Sequence, residues 1–238
     1  LLSQFGFLDI SQSVRFLHLP PVDADTHALQ AGQHPCQQRL IFEELLAHHM
    51  SLLRLRFTLQ ANKAWPLPDA SSLAPRLLDE LPFMLTNAQQ RVVSEIRSDL
   101  GLSRPALRLI QGDVGSGKTI VAALAALQAI EAGKQVAIMA PTEILAEQHW
   151  QNFNQWLAPL GVTLAWLSGK TKGKKREQAL ALIGSGEAQM VVGTHALFQD
   201  DVQFAHLALV IVDEQHRFGV HQRLALRDKG SEQGYAPH

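Results

Sequence analysis

Residues 110–127 read IQGDVGSGKTIVAALAAL. An apolar run (ALRLI, 106–110) leads into glycines, a lysine and a threonine, and then into an apolar helical stretch. Gly112-Asp113-Val114-Gly115-Ser116-Gly117-Lys118-Thr119 fits the pattern G-x-x-x-x-G-K-[ST]. The glycines let the backbone curl so that successive N–H groups point inward. Together with the positive end of the following helix they make a cradle for phosphate. The pattern predicts that Lys118 reaches the β and γ phosphates of ATP and that Thr119 places its hydroxyl on Mg²⁺. A glycine-rich turn of no special use is the plainer alternative. It would not need a strand before it and a helix after it.

A metal held on a phosphate calls for a carboxylate nearby, and LALVIVDEQH (207–216) supplies two. Its apolar first six residues read as a strand buried on both faces of a parallel sheet. Asp213 and Glu214 follow at the carboxyl end, where ligands bind in such sheets. Asp213 is the expected Mg²⁺ partner, and Glu214 the expected base that orients the attacking water. The alternative is a strand that merely ends in two solvated acids.

Outward from these two segments the chain alternates apolar runs with helical patterns. Residues 106–110, 135–140, 162–167, 188–193 and 207–212 read as strands with helices between them. This is βαβ logic and predicts an α/β fold with a parallel, doubly wound sheet. The earlier part differs. Residues 18–36 read as loop. Residues 37–60, with Ile41, Leu45, Leu52, Leu55 and Leu59, read as one long amphipathic helix. Residues 61–85 contain Pro66, Pro68, Pro75 and Pro82 and read as a linker. The expected division is a helical connector and linker over 1–82 and a nucleotide-binding lobe over 83–238.

Composition sets bounds. With 21 basic and 22 acidic residues, the chain has no overall positive field for nucleic acid, so any such surface must be local. Apolar residues make up 46% of the chain, which fits a folded globule rather than a disordered one. Cys36 is the only cysteine, so no internal disulfide can form; a reducing cytoplasm is the expected location. His34 stands nearby, but two potential ligands do not make a metal site. No stretch reaches the roughly 18 apolar residues of a membrane span. Both ends read as cut from a longer chain.

Asp213-Glu214-Gln215-His216 resembles the DExH box of superfamily 2 helicases and translocases. APTEILAEQH (140–149) resembles their motif Ia and VGTHALFQ (192–199) their motif Ib. LTNAQQ (85–90) resembles the segment whose glutamine reads adenine, here Gln89, with Phe83 upstream as a stacking group. DEQHRFGVHQRLAL (213–226) and the helical stretch 32–56 are similar to the bacterial ATP-dependent helicases that remodel stalled replication forks and Holliday junctions. The transcription-repair coupling translocases are the nearest alternative, but their box usually reads DEEHRFGV. The resemblance implies a RecA-like lobe using ATP and Mg²⁺, truncated before motif III. It also implies absent partners within the same protein: a second motor lobe with arginine fingers, and an OB-type wedge domain. Branched double-stranded DNA is the implied substrate.

The same resemblance assigns Thr142 and Thr194 to the DNA backbone. Thr142 also reads as a helix N-cap, and the two roles are compatible. Thr194 reads equally as an ordinary strand-end hydroxyl. GKTKGKKR (169–176) is the one concentrated positive patch; Lys170, Lys172 and Lys174 are its candidate phosphate contacts, against the reading of a solvated loop. His216 and Arg217 are candidates for coupling ATP to DNA. Trp150, Phe153 and Trp156 sit at helical spacing, which favours packing over base stacking. Two rivals stay open from sequence alone. One is a nucleotide-sensing binding module that docks through 37–60. The other is a transporter-type ATPase, though no LSGGQ-like signature is visible.

Overall fold

A computed structural model of the chain describes residues 6–60, 62–70, 72–113, 115–214 and 234–238, and for Leu55, Arg56 and residues 58–60 the backbone only. It divides into two compact units, Leu1–Leu59 and Gln60–His238.

The first unit holds α1 (Ile10–His18), α2 (Thr26–Gln30) and α3 (Pro35–Gln60). Asp9 caps α1 by accepting the N–H groups of Ser11 and Gln12 at 2.9 and 3.1 Å. Arg39 is buried; its Nε donates to the Leu8 carbonyl at 3.0 Å and its guanidinium pairs with Glu43. That ties α3 to the chain entering α1. The expected apolar stripe on α3 is not a buried one: Ile41, Leu45 and Leu52 are exposed, and burial falls on Cys36 and Arg39 at its start. Residues 18–36, read as loop, contain α2 because Asp25 caps it through the Ala28 N–H.

The second unit contains α4 (Leu73–Glu80), α5 (Asn87–Leu100), α6 (Lys118–Glu131), α7 (Glu143–Leu157) and α8 (Lys174–Ser185). Its strands are β1 (Gln135–Met139), β2 (Leu164–Leu167), β3 (Met190–Gly193) and β4 (Leu207–Val212), all parallel, in the order β2-β3-β1-β4. Strand alternation sorts the core. Val136 and Ile138 face a cluster with α5, α6 and α7, whereas Ala137 and Met139 face one with Ala179 and Ile183 of α8. The expected boundary at 82/83 is displaced to 59/60, because Leu67, Ala74 and Leu77 bury themselves in the lobe's core. Gln128 of α6 holds this segment, donating to the carbonyl of Leu67 at 2.7 Å. The proline-rich stretch also contains α4, with Pro75 in the first turn, where its missing N–H costs nothing.

One expected strand is absent. Residues 106–110 have no regular secondary structure and join no ladder among the described residues. A strand needs a hydrogen-bonded neighbour. The outer edge of β4 is instead met by 236–238, through Val210 N–H to His238 O and His238 N–H to Ala208 O, both at 2.8 Å. Between 106–110 and the rest of β4 lies a trough lined by Ala106, Ile110, Leu209 and Ile211.

His238 pins this corner. Its Nδ1 accepts the Ala106 N–H at 3.1 Å, so its Nε2 must carry the proton that meets the Trp65 carbonyl at 2.8 Å. Only the neutral ring makes both bonds. Burial pushes its pKa below the usual 6.5, against the opposing pull of the Trp65 carbonyl and Asp99. The unfolded chain therefore takes up this proton first. The bonds' contribution is intact above about 6.5 and is lost as pH falls from there to the lowered folded value. Thermal melts at pH 7 and pH 5 should show a smaller drop in midpoint for His238→Phe than for the unaltered protein. Equal drops would remove His238 from the acid response.

Candidate nucleotide and nucleic-acid site

The loop of residues 112–117 turns on two glycines in the left-handed region, Gly115 at φ 81° and Gly117 at φ 79°. Gly117 stands as N-cap of α6, so the loop's last N–H groups are also the helix's first. A side chain at Gly117 would meet the Gln89 amide at 2.3 Å. That contact shows how closely the loop is clasped. Gln89 Nε2 donates to the Ser116 carbonyl at 2.9 Å, while its Oε1 accepts the Thr86 N–H at 2.8 Å in the capping box of α5. Gln89 thus retains one amide N–H and one carbonyl lone pair. Phe83 is exposed, 46% accessible, just before this segment. Lys118 Nζ donates to the carbonyls of Gly112 and Asp113, each at 2.8 Å. Val114 lies outside the described residues.

Lys118, Thr119, Gly115, Asp213 and Glu214 line one cavity of about 330 Å³. The loop and the acidic pair, 94 residues apart from Thr119 to Asp213, therefore face each other. The backbone of Asp213 continues the sheet, its N–H donating to the Met139 carbonyl at 2.9 Å. Its carboxylate accepts from His149 Nε2 at 2.7 Å. This bond holds the Asp213 pKa below the ordinary carboxylate value against the cost of burial; the charge of His149, the Glu214 backbone N–H and the charge of Lys118 add to it. Glu214 adopts φ 50°, the only positive φ outside glycine among the described residues. Such a conformation costs on the order of 1 kcal/mol and turns the chain sharply off the strand. His149 ends the stretch that resembles motif Ia, but that resemblance assigns it no role. The signal that finds it is helical: Ala146, His149, Phe153 and Leu157 form the inward stripe of α7, and His149 is its one polar member.

The strand order sets the other candidates in a row along the carboxyl edge. Thr142 follows β1, Thr194 follows β3, and the basic loop follows β2. Thr142 is exposed and caps α7 by accepting the Leu145 N–H at 3.3 Å. Thr194 is buried, 2% accessible, and its hydroxyl has no partner among the described residues. A phosphate would meet the Thr194 region through backbone rather than through this hydroxyl. Lys170 pairs with Glu143 in the first turn of α7. Arg176 is held by Asp201, at 2.8 Å, and by Gln199. Lys172, Lys174 and Lys175 are exposed. The aromatic residues of α7 pack as expected: Phe153 is buried and meets Trp156 edge-on at 6.2 Å. His216, Arg217 and the remainder of 215–226 lie outside the described residues.

Four parallel strands, helices on both faces, and a phosphate-loop pattern opposite acids at a strand's carboxyl end define a RecA-like P-loop lobe. Within that class the chain belongs to the DEAD/DEAH box helicase family, whose model matches residues 86–230. It is 58% identical over 229 residues to a Haemophilus influenzae protein named ATP-dependent DNA helicase RecG, covering 96% of this chain and 33% of that one. An Escherichia coli K12 protein of the same name is 59% identical over 233 residues, covering 98% of this chain and 34% of that one. A solved structure of RecG bound to a three-way DNA junction matches 92% of this chain and 29% of its own length, with 38% identity and a TM-score of 0.78. The chain thus spans about a third of the relatives it matches. No helix among the described residues is long and apolar enough to cross a membrane.

Proposed function

We propose that this chain is the connector and ATP-binding lobe of a bacterial DNA helicase that remodels branched DNA. The observation that carries the reading is the shared cavity of Lys118, Thr119, Asp213 and Glu214, beside a carboxyl edge bearing Thr142 and the basic loop. Relatives at 58 and 59% identity bear the name of such a helicase, and a related structure holds a three-way junction.

The chemistry asked of these residues is positioning and charge neutralisation. Gln89 offers its remaining N–H and lone pair to the two edge groups of adenine, and Phe83 offers a face for stacking. Lys118 exchanges the carbonyls of Gly112 and Asp113 for phosphate oxygens; the charged acceptors make stronger bonds. The donors near the phosphates are hard oxygens, a hydroxyl on Thr119 and an anionic carboxylate on Asp213. This set suits Mg²⁺, which takes few protein oxygens and completes its shell with water and phosphate; bound there, it would neutralise phosphate charge. Glu214 orients the attacking water.

Thr142 and Lys170, Lys172 and Lys174 hold the DNA backbone, so contact is independent of sequence. The test is strand separation of a synthetic three-way junction by the full-length protein. Separation should require both ATP and Mg²⁺ and fail with a non-hydrolysable ATP analogue. Separation that ignores the nucleotide would end this reading.

A further inference from the structure

Asp213 has a fixed backbone and a side chain that must be aimed. Its N–H is locked to Met139 in the sheet, but its carboxylate turns about two bonds. Among the described residues, the side chain that meets that carboxylate is His149, at 2.7 Å, from a different element. His149 is itself rigidly mounted. It lies two turns into a helix whose N-cap, Thr142, is in place, with buried Ala146 on one side along the stripe and buried Phe153 on the other. The His149 and Phe153 rings are 6.0 Å apart. A carboxylate only accepts, so Nε2 is the donor. Nδ1 is buried and has no partner among the described residues. A histidine whose second nitrogen goes unsatisfied in an apolar stripe is a poor structural choice; a leucine or phenylalanine would pack there without that cost. Among the described residues, the ring's one polar contact is with Asp213.

We propose that His149 is a positioning residue: by holding Oδ2 of Asp213 it fixes the carboxylate in the orientation that receives Mg²⁺ on the nucleotide. This rests on the reading of Asp213 as the metal carboxylate given above. With the carboxylate held by His149 and by the Glu214 backbone N–H, its remaining lone pairs serve a cation and little rotamer freedom is lost at binding. A partner of this kind, one bond removed from the metal, typically changes metal affinity by about 10–100-fold. His149 acts through Asp213 alone, so nucleotide binding without metal is independent of it.

The experiment titrates Mg²⁺ against fluorescent N-methylanthraniloyl-ADP bound to the full-length protein and reads the half-saturating Mg²⁺ concentration. His149→Leu should raise it by about 10–100-fold and leave metal-free ADP binding unchanged. His149→Gln, whose Nε2 can stand in for the imidazole Nε2, should return it to within a few-fold, and His149→Asn, too short to reach, should not. In an Asp213→Asn background, adding His149→Leu should change nothing further, because the two act on one interaction. Unaltered half-saturation in both His149→Leu and His149→Asn overturns the proposal. So does an equal loss of metal-free binding in the Leu, Asn and Gln variants, which marks a packing role. If the unaltered protein itself shows no Mg²⁺-dependent binding, the assignment of Asp213 falls first and this proposal with it.

Discussion

Glu214→Gln in the full-length protein is expected to lower ATP turnover by about 10²–10⁴-fold while junction binding stays within a few-fold. Gln keeps the size and the hydrogen-bonding shape but cannot take a proton. Glu214 stands just past the end of β4 in a left-handed conformation, so its side chain is delivered to the cavity by a backbone turn that a glutamine preserves. Lys118→Ala should act differently. It removes the ammonium that now bonds Gly112 and Asp113, and with it the phosphate anchor. KM for ATP should rise as kcat falls, whereas Glu214→Gln should spare KM. Steady-state hydrolysis with junction DNA, beside a gel-shift assay of the same variants, separates the two. Undiminished turnover in Glu214→Gln would remove Glu214 from the chemistry.

The second large effect concerns the 238-residue chain by itself. It should hydrolyse ATP about 10³–10⁵-fold more slowly than the full-length protein. Transition-state charge on the transferred phosphoryl group needs a cation aimed at it. Among the described residues, the arginine that lines the cavity is Arg108, and it is already committed. Its Nε meets Asp99 at 2.7 Å and its Nη1 meets Glu95 at 2.5 Å. Freeing it would strand two carboxylates on α5. Lys118 is assigned in the proposed function to the ground-state phosphates. No other arginine among the described residues lines the cavity, and a second motor lobe closing on the nucleotide is the proposed source of that cation. Single-turnover hydrolysis by the isolated chain, compared with the full-length protein on the same junction DNA, makes the measurement. Turnover of the isolated chain at tens per second with DNA stimulation would overturn the two-lobe account.

Much of this was legible because short-range chemistry leaves short-range marks. A cradle for phosphate needs consecutive N–H groups at a helix start, so its glycines, lysine and threonine are neighbours in sequence. A strand buried on both faces is a continuous apolar run, and β1 and β3 announced themselves that way; β4 has the same apolar run, but Val210, Ile211 and Val212 are only half-buried. The reading failed where an element depends on a neighbour. Residues 106–110 are as apolar as a strand requires, yet a strand exists only beside a hydrogen-bonded partner, and theirs is missing among the described residues. The stripe on α3 has helical spacing and still faces solvent, since periodicity shows that a face exists and not what covers it.

The amino-acid order alone determined the class of chemistry: a phosphate loop, an acidic pair after an apolar strand, and segments in the order of a helicase lobe. Those are properties of contiguous residues and survive without a fold. The tertiary structure decided which of them meet. It brought Lys118 and Asp213 into one cavity, took the Thr194 hydroxyl out of reach, paired Lys170 with Glu143, and set His149 against Asp213. Each of those outcomes depends on strand order and helix rotation, which arise from packing across the whole core.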